Sequence, residues 1–268
     1  MIGAIIGDVI GSRFEWHNHK SKQFDLFDSE CHFTDDTAMS IAIAKAILSS
    51  KPDFSDLGEQ SVKYMQLIGR QYPNCGYGKK FREWIVDNEP KPYNSFGNGS
   101  AMRVAPCAYA AKSLKEAEML AEKTAEVTHN HPEGIKGAKA VTSAIYMARI
   151  GKDKEEIKEY IKDKFYSLDF TLNDIRKEYS FNSSCQGSVP QAIEAFLESN
   201  DFEDAIRNAI SIGGDSDTIA AIAGSIAESY YGVPEKLKEQ TSKYLTKDLL
   251  LIVNEFENRY CISNESLI

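Results

Sequence analysis

The sequence predicts an all-α protein folded as one compact domain over residues 1–268. Three observations carry this. No segment alternates apolar and polar residues for long enough to demand a strand. Several segments are either Ala- and Ile-rich throughout or carry an apolar stripe at helical spacing. There is no internal repeat at a solenoid period, and 268 residues is a length at which a single large core forms. Composition agrees: with 42% hydrophobic and 26% charged residues, and Gly and Pro at ordinary levels, the chain reads as neither disordered nor fibrous.

The elements follow in order. The opening stretch, "MIGAIIGDVIGSRFEW", is apolar for about ten residues, has no basic residues before them, and meets Asp8 halfway. It is too short to span a bilayer and wrongly built for a signal peptide. Its Gly3, Gly7 and Gly11 share one helix face and permit close contact with another helix. Thr37 to Leu48 is Ala-, Ile- and Met-rich on nearly every face, the mark of a helix buried among others. Gln71 to Ser100 is the least regular stretch, with a short helix at Phe81 to Val86. Its aromatic content speaks against disorder, and long irregular segments in compact domains are usually functional. Ile135 to Ile150 is an apolar helix. Asp153 to Phe165 has one stripe (Ile157, Tyr160, Ile161, Phe165) in a charged background and belongs on the outside. Ser188 to Glu198 and Asp201 to Ile212 each open with a residue suited to N-capping. Thr218 to Tyr231 sets Ile219, Ile222 and Ile226 beside Ala220, Ala223, Gly224 and Ala227, small residues that let helices pack closely.

A net charge of −9 argues against broad nucleic-acid or anionic-membrane binding, both of which depend on clustered Lys and Arg. The five cysteines are scattered, with no Cys-x-x-Cys pair, so a reduced cytoplasmic setting fits better than a disulfide framework or structural zinc. A monomer is the default expectation.

Chemistry concentrates at two helix mouths. In "GGDSDTIAAIAG", Asp215 and Asp217 lie at i and i+2, and they reach one point only if the backbone there is a turn, which Gly213 and Gly214 allow. One Asp suffices for an N-cap. Two carboxylates and Thr218 entering an apolar helix leave an excess of charge that needs a partner. "HFTDDTAMSIA" repeats the design with Thr34, Asp35, Asp36 and Thr37. Four Asp and flanking Thr oxygens form an all-oxygen set suited to a hard cation such as Mg²⁺ or Mn²⁺, and converging mouths could hold two ions. Asp8 and Glu15 are the acids of the N-terminal segment, and Glu15 reads locally as either a loop acid or a metal-site or acid–base residue. "SFGNGSAMR" is a glycine-rich entry to a helix whose amides could cradle a phosphate. Among the His-x-His pairs, His17/His19 and His129/His131, the "THNHP" segment precedes a buried helix, and His131 is favoured there. Neither pair has the company a zinc site needs.

Taken together, "GDVIGSRFE", "FTDDTAMS", "GNGSAMR", "THNHP" and "GGDSDTIAAIAGSIAESYYG" resemble the ADP-ribosylglycohydrolase family, which includes the dinitrogenase-reductase-activating glycohydrolase and the ADP-ribosyl-arginine and ADP-ribosyl-serine hydrolases. The motifs fall in family order across residues 3 to 232. The resemblance implies a compact orthogonal helix bundle with two Mg²⁺ or Mn²⁺ ions in a cleft for ADP-ribose. Carried over by position, Thr34, Asp35, Asp36, Asp215, Asp217 and Thr218 are implied metal ligands, and Glu15 matches the acid ending the first motif. Gly97, Asn98, Gly99 and Ser100, with Phe96 and Met102 beside them, match the loop meeting ADP-ribose, and His131 the histidine near its ribose or diphosphate. The implied reaction is hydrolysis of the bond between ADP-ribose and an acceptor, foremost arginine on a protein, with serine-linked or O-acyl-ADP-ribose as alternatives. Asp35 or Glu15 would handle the proton. A non-catalytic ADP-ribose-binding member is the rival reading, and the intact acids at both mouths argue against it. Trp16, where family members often carry Phe, marks a departure near the acceptor side.

Overall fold

The computed structural model describes residues 1–261; residues 262–268, the end of the single domain expected from the sequence, lie outside the described residues. Fourteen α-helices run in sequence among them: α1 (Ile2–Gly11), α2 (Asp35–Ser49), α3 (Leu57–Gln71), α4 (Lys79–Val86), α5 (Ala105–Ala110), α6 (Leu114–Ala125), α7 (Pro132–Arg149), α8 (Lys154–Lys164), α9 (Leu172–Ile175), α10 (Cys185–Leu197), α11 (Phe202–Ser211), α12 (Ser216–Tyr231), α13 (Glu235–Ser242) and α14 (Lys247–Tyr260). Two 3₁₀ turns, Ser12–Phe14 and Asn98–Ser100, join them. No strand forms among the described residues, where extended pairing is confined to one bridge between Gly97 and Ser184. The all-α expectation holds.

The centre is built from helices apolar on every side. α12 is buried from Ser216 to Ala227 and packs against α1, α7, α10 and α11. Such a helix has no face to offer water, so it forms only when surrounded. α1 is buried along its whole length and α2 almost so. Around them stand amphipathic helices. α8 buries Ile157 and Ile161 beneath a charged outer face and opens with Asp153, which accepts from the Glu156 amide at 2.8 Å in a capping box.

The starts of α2, α4 and α12 each lie two residues before the expected ones, and two starts move by three residues, where a cap decides. α10 begins at Cys185 rather than Ser188, because Ser184 accepts from the Gly187 amide at 3.1 Å. That places Pro190 inside the helix. α7 begins at Pro132 rather than Ile135, with His131 as its N-cap and proline at the first position, where its missing N–H costs nothing. α1 packs closely against α12. A Cβ on Gly3 or Gly7 would collide with the carbonyls of Gly224 or Ala220, and one on Gly11 would lie 2.6 Å from the Asp217 Cα. The glycine spacing read from the sequence therefore corresponds to backbone-on-backbone packing.

Candidate active site

That close approach sets the first acid in place. Asp8, fully buried on α1, points at the start of α2 instead of at solvent. Its Oδ2 accepts from the amides of Thr34 at 2.9 Å and Thr37 at 3.1 Å, and its Oδ1 accepts from the Thr34 hydroxyl at 2.6 Å. A carboxylate from another helix thus satisfies amide donors that α2 leaves free at its N-terminus. Thr34 also accepts from the Asp36 amide at 3.3 Å, completing the cap.

Asp36 follows in the first turn of α2, 3% exposed. Its Oδ2 accepts from the Thr218 hydroxyl at 3.1 Å, which joins the mouths of α2 and α12 directly. Its Oδ1 is buried without a partner. At the α12 mouth Gly213 (φ +68°) and Gly214 (φ +82°) take the left-handed backbone that the two-acid turn requires. Asp215 stands at the N-cap position but makes no side-chain cap bond; its Oδ2 accepts from the Asn98 amide group at 2.7 Å. Simple helix capping therefore does not explain this acid. Asp217 lies in the first turn, its Oδ1 accepting from the Thr218 amide at 2.9 Å.

The carboxylates fall into two groups of three, Asp8–Asp36–Asp217 and Glu15–Asp215–Asp217, each with one ligand oxygen per residue and those oxygens within 4.8 Å of one another. Asp217 belongs to both. Without a counter-ion such crowding is costly, and the acidities record it. Burial, then the charges of Asp217 and Asp8, pushes Glu15 up to about 8. Burial raises Asp8 despite its hydrogen bonds to Thr34 and Thr37. Burial and the charges of Asp217 and Asp8 hold Asp36 well above the carboxylate range, and burial with Asp215 and Asp8 does the same to Asp217. Asp215 is pushed up to about 6 by burial, with hydrogen bonds from Asp217 and Asn98 opposing the rise. Oxygen-only donors, an unpartnered buried carboxylate oxygen and closely set acids fit a hard divalent cation.

Glu15, Asp36, Asp215 and Asp217 line a cavity of about 450 Å³, within the range of small-molecule sites, and Asp8 lies outside its lining. Gly97, Asn98 and Gly99 form one wall with Ser95 and His129; Gly76, Gly78, Lys79 and Lys80 form another; Trp16 and Phe181 stand at the Glu15 side, their rings stacked 5.0 Å apart. The family model for ADP-ribosylglycohydrolase matches residues 1–262. The chain belongs to the ADP-ribosylglycohydrolase family. It is 26% identical to the ADP-ribosylhydrolase ARH3 of Homo sapiens, over 93% of this chain and 90% of that protein. It is 28% identical to the ADP-ribosylarginine hydrolase Tri1 of Pseudomonas putida, over 87% of this chain and 70% of that one. A solved structure described as an ADP-ribosylglycohydrolase-related protein complex superposes with a TM-score of 0.69 at 22% identity, covering 95% of each chain, which establishes the fold.

Within this ADP-ribosylglycohydrolase frame, most residues singled out in the sequence converge. Glu15, Asp35, Asp36, Gly97, Asn98, Gly99, Met102, Asp215, Asp217 and Thr218 all line the cavity. Asp35 lines it outside both carboxylate groups, anchored by its amide to the Cys75 carbonyl at 2.7 Å. Thr34 is turned to Asp8 and the α2 cap and does not line the cavity. Ser100 donates to the Gly134 carbonyl at 2.7 Å behind the wall, and Phe96 is half exposed beside His131. His131 is spent on the α7 cap, its Nδ1 accepting from the Glu133 amide at 3.1 Å; the cavity histidine is His129, two residues earlier. Asp8, left without a role in the sequence reading, belongs to one of the two carboxylate groups.

No helix among the described residues is long and apolar enough to cross a membrane, and the five cysteines are free.

Proposed function

We propose that the protein is a metal-dependent hydrolase cleaving the glycosidic bond between ADP-ribose and an acceptor, with arginine on a protein as the acceptor. The reading rests on one observation above the rest. Two carboxylate groups share Asp217, which lines a cavity whose glycine wall is tied to the second group by the Asn98–Asp215 hydrogen bond. Asp8, Asp36 and Asp217 would hold one Mg²⁺ or Mn²⁺ ion, and Glu15, Asp215 and Asp217 a second. When bound, such ions supply Lewis acidity and lower the pKa of a water.

The chain's own groups do the rest. Thr218 and Asn98 fix the carboxylates of Asp36 and Asp215 in place. The Gly97–Gly99 wall, having no side chains at its two glycines, lets the ligand approach the backbone. The water oxygen bonds to the anomeric carbon while the bond to the arginine nitrogen breaks, its electron pair passing to that nitrogen. Carboxylates nearby stabilise the oxocarbenium-like transition state. Asp35, free of both groups and facing the cavity, takes the proton from water and returns it to the departing nitrogen. The arginine acceptor draws support from the relative named as an ADP-ribosylarginine hydrolase.

The test is a panel of arginine-, serine- and acyl-linked ADP-ribose substrates assayed with Mg²⁺, with Mn²⁺ and with excess EDTA. Arginine-linked substrate should turn over only with metal, and Asp217→Asn should lose about a hundredfold or more in rate with its fold retained by circular dichroism. Full activity in EDTA would end the metal-based reading. Turnover confined to the other linkages would end the arginine assignment.

A further inference from the structure

Along the glycine wall lies a buried chain of side chains, with Arg103 and His129 both lining the cavity, that the reaction as described does not use. Arg103, 1% exposed at the end of the "GNGSAMR" segment, carries a guanidinium that no carboxylate pairs among the described residues. One of its terminal nitrogens donates to the Thr124 carbonyl at 2.9 Å and to the Thr128 hydroxyl at 2.8 Å. That hydroxyl lies 2.7 Å from Nδ1 of His129, itself 5% exposed. The other ring nitrogen, Nε2, runs along the cavity wall: a Cβ added to Gly99 would lie 3.3 Å from it, and one added to Gly97 3.6 Å.

We infer that Arg103, acting through Thr128, fixes His129 as the neutral tautomer that presents an Nε2–H donor to the cavity. The donor count leads there. A guanidinium has no acceptor, so the Arg103 contact occupies a lone pair on the Thr128 oxygen. The hydroxyl has one proton, and its competing acceptor, the Ala125 carbonyl, lies at 3.4 Å against 2.7 Å for Nδ1. Electrostatics points the same way. An Nδ1–H would aim the positive end of the ring dipole at an oxygen already bound to a cation, whereas an Nδ1 lone pair aims the negative end there. Burial and the Arg103 charge also hold the ring well below its ordinary pKa, so it stays neutral. Arg103 and Thr128 are thus positioning residues. If the wall receives ADP-ribose, as the proposed function has it, the fixed donor meets an acceptor oxygen of that ligand, and the second proposal rests on the first at this point only.

The test reads the tautomer directly. In the ¹⁵N-labelled full chain, long-range ¹H–¹⁵N correlation should show Nδ1 of His129 far downfield, as an unprotonated ring nitrogen, and Nε2 protonated. Thr128→Val, close to the native shape, should mix the two tautomers and weaken ADP-ribose binding about tenfold. Thr128→Ser should restore both. A protonated Nδ1 in the native protein, or an unchanged His129 spectrum in Thr128→Val, overturns the inference. A tautomer as expected with no binding of ADP-ribose upholds the relay and defeats the ligand reading instead, so the two failures are distinct.

Discussion

Asp8 shows how a single residue can be central to a site and still escape a reading of the sequence. It interrupts an apolar run, which by itself says only that the run is no membrane span. Its partners, Thr34 and Thr37, stand 26 and 29 residues away and reach it through tertiary packing alone. The pairs Asp35/Asp36 and Asp215/Asp217 were legible because their charge sits directly against apolar helices, where local sequence shows the conflict. His129 and His131 present a third case. Both lie in "THNHP", and the local signal that separates them is the proline after His131, which commits that residue to the α7 cap. If Asp8 serves the metal centre, Asp8→Asn should weaken Mg²⁺ binding by about ten- to a hundredfold in titration calorimetry. Metal-free stability should not fall, because the amide oxygen still accepts from the Thr34 and Thr37 N–H groups while one of the crowded buried charges is removed. Undiminished affinity would remove Asp8 from the centre.

Among the elements, the buried helices α2 and α12 were readable from composition, whereas the ends of α7 and α10 were not, since each end is set by one cap bond that competes with near equals. The contact of α1 with α12 was readable as a possibility from the glycine spacing; its partner was not. This contact supports a contrast between two glycines. Gly11→Ala would place a methyl 2.6 Å from the Asp217 Cα, so α1 must retreat and the shared acid moves with the backbone it presses on. Stability should fall by about 1–3 kcal/mol in chemical denaturation, and turnover should fall as well. Gly58→Ala meets only ordinary contacts, the nearest at 3.7 Å, within α3. It should be neutral or stabilising by up to about 1 kcal/mol. If the two variants behave alike, close packing is not what positions Asp217.

At the scale of the whole molecule, the site is a store of electrostatic cost held in place by the core. Glu15, Asp8, Asp36, Asp215 and Asp217 all have folded-state pKa values raised above those of an unfolded chain. Below about pH 4 these carboxyls are protonated in both states and impose no penalty. As pH climbs through about 6 for Asp215 and about 8 for Glu15, the unfolded chain holds fewer protons than the folded one, and stability drains away. Protein stripped with EDTA should therefore melt lower at about pH 8 than at about pH 5, with Mg²⁺ raising the melting temperature more at the higher pH. A melting temperature in EDTA that ignores pH would contradict this. The closeness of α1 to α12 has one further consequence, in time rather than space. Asp8 is synthesised 209 residues ahead of Asp217, its companion in one carboxylate group. The two halves of that buried charge are therefore made far apart in time, and they meet only once α12 has been added to α1.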